Sequence, residues 1–367
     1  MNTIWVLGAT GLSGRAIARE LAGAEHGAEQ DAEQGAEQDV VLIGRNADRL
    51  AAVAASLASP VHTRVASGLT ELAGLIAAEK PAVVVNTVGP FTSSTVPLAR
   101  ASLSAGSHYV DLANELEPVR QLLALDGEAR RRDVTLVTGA GFGVLATEAL
   151  VIELRGDRPA AARARVAAMP TVDGLGSAVL ASAVDAVAYG GRRYRDGRLV
   201  RTRLGANHEL ISLPDSAPTD VLAVPTGELE AARRASGAGD VLAYSSEVPS
   251  GRLVRAVLPT VSVLFAVRPV QKTIQRVINR KRLTPPARAG HESWAYARLE
   301  WDDGTRREAW LHTGEGYRFT ARIAARTAAR LADGSAVAGA YTPGALFGAD
   351  AARWASAEIV TSGDVTT

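Results

Sequence analysis

"TIWVLGATGLSGRAIARELAG", residues 3–23, decides the fold. Its first five residues are β-branched, aromatic or leucine, the pattern of a short strand buried on both faces. Three glycines stand at Gly8, Gly11 and Gly14, and an alanine-rich run of helical character follows. Strand, glycine turn and helix in that order make a cradle for a phosphate-bearing ligand. Glycine lets the backbone approach closely, and the helix N-terminus offers unpaired N–H groups to negative charge. The candidate contacts are Gly8, Thr10, Gly11, Leu12, Ser13 and Gly14. The spacing is G-x-x-G-x-x-G rather than G-x-G-x-x-G, so on these residues alone a tight turn without ligand stays open.

Outward from this stretch the pattern repeats. "DVVLIGR", "VHTRVAS", "AVVVNTVG", "HYVDLA" and "VTLVTGAG" read as further strands, and alanine- and leucine-rich helical runs separate them. Near-continuous apolar strands alternating with helices predict an α/β fold, a Rossmann-type doubly wound parallel sheet. Past residue 140 the pattern changes. "SWAYARLEWDDGTRREAWLHT" predicts a hairpin turning at Asp-Asp-Gly, and "GYRFTARIAARTAARLADG" an amphipathic helix closed by glycine. The expected organisation is a nucleotide-binding domain over 1–140, an α+β substrate and dimerisation domain over 141–335, and a C-terminal segment over 336–367 packing back on the first domain. Residues 23–39, "GAEHGAEQDAEQGAEQD", form a low-complexity repeat with no predicted chemistry.

The chain has 367 residues, enough for two domains, with 40 basic and 39 acidic side chains. That balance makes no electrostatic case for nucleic acid as a partner. Cysteine is absent, which removes disulfides, thiolate nucleophiles and thiolate metal sites. The six histidines are scattered without ligand spacing, so no metal site is expected. No basic-then-apolar leader opens the chain, and the expected location is cytoplasmic.

The end of the second strand bears on which nicotinamide cofactor is bound. A diol-binding acid is missing there, and Gly44-Arg45-Asn46 stands in its place. A guanidinium suits a 2′-phosphate, so the expected cofactor is NADP(H), with Arg45 and Asn46 as contacts. The fourth strand ends in "NTVGPF", where Asn86, Thr87, Val88, Gly89 and Pro90 would line the nicotinamide end. "HYVDLANE" supplies His108, Tyr109, Asp111 and Glu115 as candidate catalytic groups, each also readable as a structural hydrogen-bonding residue. Candidate substrate contacts are Phe91, Phe142, Arg192, Arg193 and Tyr194, with Tyr189 and Arg195 in the same "YGGRRYRDGR" loop. A purely solvated hairpin is the other reading of that loop.

"GATGLSG", "GRN", "NTVGPF", "AGSHYVDLANE" and "GAGFGVLATE" together resemble the saccharopine dehydrogenase-like oxidoreductases, and within them the bacterial branch that includes trans-acting enoyl reductases. The resemblance is concentrated in residues 1–150. It implies a Rossmann domain, a second α+β domain whose sheet forms a homodimer, and NADPH-dependent reduction of an imine or an activated double bond. It leaves the substrate open, from small molecules to carrier-bound acyl chains.

Short-chain ketoreductases share the early glycines and use a Tyr-x-x-x-Lys pair. None of the three lysines here, Lys80, Lys272 and Lys281, follows a tyrosine by four residues. A cofactor-binding sensor or scaffold without catalysis is the alternative function. Residues 252–290 carry basic but no acidic side chains, with Val270, Ile274, Val277 and Ile278 at helical spacing. That segment could dock an acidic carrier or an anionic membrane, or be an ordinary helix with a core-facing stripe.

Overall fold

The computed structural model describes residues 3–23, 39–171, 187–214, 216–248, 251–265, 292–362 and 365–366. The 23–39 repeat and the Val270–Ile278 stripe therefore fall almost wholly outside the described residues. The chain divides into two compact units: residues 1–113, 118–141 and 317–346, and residues 114–117, 142–316 and 347–367.

The first unit is built on strands β1 (Thr3–Leu7), β2 (Asp39–Gly44), β3 (His62–Val65), β4 (Val83–Asn86), β5 (His108–Asp111) and β6 (Thr135–Val137). Helices α1 (Leu12–Leu21), α2 (Ala47–Ala54), α3 (Leu69–Glu79), α4 (Phe91–Ala105), α5 (Leu116–Leu123) and α6 (Asp126–Arg131) connect and follow them. All pairings are parallel, and the order across the sheet is β3-β2-β1-β4-β5-β6. That order reverses between β1 and β4, the switch point where open α/β sheets take ligands at their carboxyl edge. The central strands β1 and β4 are largely apolar and buried, whereas the edge strand β3 is exposed along its length. Trp5, Leu7, Ile43, Val84, Leu98, Tyr109 and Leu136 share one core.

The unit boundaries differ from those read off the sequence. The helix Gly316–Ala332, expected in the second domain, belongs to the first unit from Tyr317 on, and Arg322 pairs with Glu20 of α1 at 3.6 Å. The strand Gly339–Tyr341 extends the first sheet in parallel beside β6. The tail from Phe347 instead joins the second unit, not the first domain.

The second unit contains α7 (Phe142–Arg155), β7 (Arg163–Met169), the hairpin β8 (Arg192–Arg195) and β9 (Arg198–Arg201), β10 (His208–Leu213) and β11 (Ser216–Ala223). Then come α8 (Gly227–Ser236), β12 (Asp240–Ser245), α9 (Arg252–Phe265), β13 (Ser293–Glu300) and β14 (Thr305–Thr313). The sheet runs β10-β11-β12-β7-β13-β14, with Glu358–Thr361 antiparallel to β14. Among the described residues only β7 and β12 of this sheet pair in parallel, and β13 and β14 form the antiparallel hairpin that Asp302-Asp303-Gly304 predicts. Helices α7 and α8 pack on each other and on this sheet.

Candidate functional site

Three loops converge at the carboxyl edge of the first sheet. The loop after β1 is stitched to β2, the Gly8 and Ala9 amides donating to the Ile43 carbonyl at 2.9 and 3.1 Å. The loop after β4 is stitched to β1 in the same way: the Thr87 amide and hydroxyl both donate to the Leu7 carbonyl, at 3.1 and 2.7 Å. Each fastening uses a carbonyl left unpaired where a strand ends.

The glycine spacing follows from this packing. A Cβ on Gly14 would lie 2.4 Å from the Gly8 carbonyl oxygen, so only glycine lets α1 sit this close to the strand end. Gly8 has φ +79°, and a Cβ there would meet Thr87 Oγ1 at 2.7 Å. Gly11 is the N-cap of α1 with no side-chain cap, and it is exposed. The first-turn amides of Leu12, Ser13 and Gly14 have no acceptor among the described residues. Such a helix start is ready for an anion.

At the end of β2, Gly44 packs on Thr10, and Arg45 and Asn46 are exposed. The Asn46 oxygen accepts the Arg49 amide at 2.8 Å and caps α2, so Asn46 is occupied structurally. Arg45 has no ion-pair partner among the described residues.

Asn86, expected to line the ligand, has its side chain turned inward. Its side chain is fully buried: Nδ2 donates to Tyr109 Oη at 2.9 Å and Ser94 Oγ at 3.2 Å, and Oδ1 accepts the Val88 amide at 2.9 Å. It sets the shape of the Thr87–Pro90 loop, whose Gly89–Pro90 peptide is cis. Tyr109 and Asp111 lie in the same buried network. Asp111 accepts from Thr95 (2.9 Å), Tyr109 (3.0 Å), Thr138 (2.7 Å) and the amides of Ala113 (3.1 Å) and Gly139 (3.3 Å). Burial raises the Asp111 carboxyl above the usual carboxylate range, against the pull of these donors. Burial, and then the Asp111 charge, push the Tyr109 phenol well above its ordinary value. Both side chains hold loops together.

His108 stands at the amino end of β5, opposite the ligand edge, and its Nδ1 accepts the Thr135 amide at 3.0 Å. Burial lowers its pKa, which suits an acceptor nitrogen. Phe91 is buried with Ala113, Val119 and Leu123, and Phe142 is buried at the start of α7. Each is an internal packing residue.

In the second unit, Glu115 is buried and bridges to Thr226 through the backbone. Arg193 pairs with Asp240, and the Tyr194 hydroxyl donates to Glu230. The Arg192 guanidinium lies 4.3 Å over the Tyr189 ring. The contacts of Arg192, Arg193 and Tyr194 named above lie within the second unit. Arg195 is exposed on the same hairpin.

A residue that sequence reading missed is Glu228, in the first turn of α8. Its carboxyl is buried, and the Asn114 amide, turned so that its nitrogen faces it, donates to both oxygens at 3.1 and 3.0 Å. Burial pushes Glu228 up to about 7, with the Glu247 charge adding to the shift. A Cβ on Gly143 would meet Glu228 Oε1 at 2.3 Å, so the second glycine of "GFG" makes room for this carboxyl. That glycine is the one signal the sequence carries for it.

Residues 4–137 match the family model of the saccharopine dehydrogenase NADP binding domain. This stretch, the greater part of the first unit, is similar to a saccharopine dehydrogenase NADP binding domain. The trans-acting enoyl reductase of Mycobacterium leprae is 31% identical over 157 residues, 41% of this chain and 35% of that protein. The Mycobacterium tuberculosis trans-acting enoyl reductase is 30% identical over the same shares. These matches span about a third of the relatives' length. Apo saccharopine dehydrogenase (L-Glu forming) from Saccharomyces cerevisiae shares the fold, with TM-score 0.57 and 11% identity over 98% of this chain and 100% of that one. Among the described residues no group of acids and histidines could hold a metal, and no helix is long and apolar enough to cross a membrane.

Proposed function

We propose that this protein is an NADP(H)-dependent oxidoreductase that reduces a C=N or activated C=C bond of a small-molecule or carrier-bound substrate. The observation that carries the reading is the convergence of the Gly8–Gly14 loop, the exposed Arg45 and the Thr87–Pro90 loop on one sheet edge. The amides of Leu12, Ser13 and Gly14 would take the pyrophosphate, and Arg45 the 2′-phosphate, through a guanidinium fork that matches it. Bound there, the cofactor supplies a hydride. Asn86, Tyr109 and Asp111 keep the receiving loop in one conformation. In the second unit, Glu228 is a buried carboxyl raised to about 7, and Asn114 orients it.

The trans-acting enoyl reductase relatives point to an enoyl group on a carrier as the first substrate class to try. A homodimer and a cytoplasmic location belong to the same reading. The competing reading is a cofactor sensor without catalysis, favoured by the internal use of His108, Tyr109 and Asp111.

The test is titration of NADPH and NADH against wild type and Arg45→Ala. The substitution should weaken NADPH by about tenfold or more and leave NADH nearly unchanged, as loss of a charge-assisted phosphate contact predicts. Equal weakening of both would overturn the NADP assignment, and no binding of either cofactor to wild type would overturn the oxidoreductase reading. Tight NADPH binding without oxidation by an imine and enoyl panel would favour the sensor.

A further inference from the structure

Helix α9 carries apolar side chains on two faces. Its inner face is ordinary: Leu258 packs with Leu204 and Leu222, and Ser262 Oγ donates to the Val187 carbonyl at 2.7 Å. The outer face is where a surface helix normally puts its charges. Here Leu253 is 84% exposed, Val257 54% and Val254 37%. Leu253 and Val257 lie one turn apart and form an aliphatic ridge in solvent.

Exposed cations lie in this helix and in the segment that packs on it. Arg252 is exposed in the same helix. The stretch between β9 and β10 packs directly on α9, since a Cβ on Gly205 would lie 3.1 Å from the Arg255 carbonyl oxygen. Leu204 of this stretch packs on Leu258, and the exposed Arg203 precedes it, with the exposed Arg201 at the end of β9. None of Arg201, Arg203 and Arg252 has a carboxylate partner among the described residues. Several other arginines of this unit are paired, as Arg163 is with Glu300 and Arg298 with Glu209. The composition agrees: residues 252–290 contain no aspartate or glutamate, and basic side chains recur along them.

We propose that this face of the second unit docks peripherally on an anionic membrane surface. Leu253 and Val257 enter the headgroup boundary, and Arg201, Arg203 and Arg252 meet lipid phosphates. Three observations select this occupant. Arg201, Arg203 and Arg252 are exposed and have no carboxylate partner among the described residues. The aliphatic side chains stand proud instead of lining a groove, which suits a deformable apolar layer better than a shaped protein partner. Short aliphatic residues rimmed by arginine are the pattern of helices that lie in the interfacial plane.

The experiment is flotation of the full-length protein with vesicles of phosphatidylcholine alone and of phosphatidylcholine containing phosphatidylglycerol. Wild type should float with the anionic vesicles only, and binding should fall as salt rises. Arg203→Glu should weaken binding about fivefold or more, the effect of one cation near the surface. The pair Leu253→Asp and Val257→Asp should abolish it, with unchanged circular dichroism as the folding control. Should that pair misfold, Leu253→Cys gives a second route. The chain has no cysteine, so a polarity-sensitive dye can be placed at this one position and should shift to the blue on anionic vesicles. Absence of flotation, equal binding to both vesicle types, an unshifted dye, or binding to an acidic carrier protein but not to vesicles would each overturn the proposal.

Discussion

Two buried carboxyls, one in each unit, show how differently the same burial is handled. Asp111 and Glu228 are both almost wholly removed from water. Asp111 collects five donors, three of them side-chain hydroxyls, from β5, α4 and the β6 end. Glu228 has less help: the Asn114 amide on its two oxygens, with the Thr226 hydroxyl and its own backbone N–H nearby. A second carboxylate, Glu247, is near enough to repel it. Burial raises both carboxyls; five donors tie Asp111 to several elements as a structural clamp, while Glu228, raised to about 7, is held by fewer. The Asp111 cluster joins loops of the first unit, and Glu228 is held mainly by Asn114 within the second.

That contrast can be broken by mutation. The largest effect is expected from Asp111→Ala, which orphans several buried donors at once. A loss of about 3–5 kcal/mol in denaturant unfolding follows, or failure to fold. A loss under about 1 kcal/mol would show that the clamp is not one.

Glu228→Gln should act in the opposite direction and depend on pH. The folded-state pKa of Glu228 is raised above its unfolded value, so wild type loses stability as pH rises from about 4.5 to about 7, and the loss is complete above that. The shift corresponds to a few kcal/mol, to order of magnitude. The glutamine variant should match wild type near pH 4 and be more stable at pH 8 in parallel melts. An unchanged difference across that range would remove Glu228 as a titrating group. Asn114→Ala sharpens the point. Loss of this donor raises Glu228 further, and the variant should cost about 1 kcal/mol more at pH 8 than at pH 5. The smallest effect belongs to Tyr109→Phe, about 1 kcal/mol, since Asp111 keeps four other donors.

Much of the cofactor half is legible in the order of the residues. G-x-x-G-x-x-G after an apolar strand places Gly8 and Gly14 where a Cβ would collide, and Arg45 follows the second strand by simple counting. The candidate catalytic residues are less legible. His108 and Asp111 are three residues apart in "HYVD", yet a four-residue strand carries them to opposite ends, and only Asp111 reaches the ligand edge. Asn86 reads as a ligand contact because it ends a strand; its donors and acceptor are all taken inside. Glu228 lacks a motif, and "GELEAARR" reads as any surface helix with acids in its first turn.

The sequence by itself determined the alternation of strands and helices, the phosphate-loop geometry and the hairpin at Asp302-Asp303-Gly304. These depend on periodicity and backbone sterics among neighbouring residues, which a contiguous stretch carries in full. Only the tertiary structure decided that Gly316–Ala332 and Gly339–Tyr341 complete the first unit, and that Glu228 faces Asn114 and Gly143. Unit membership and pKa both come from which distant side chains share a desolvated volume, and no local pattern encodes that.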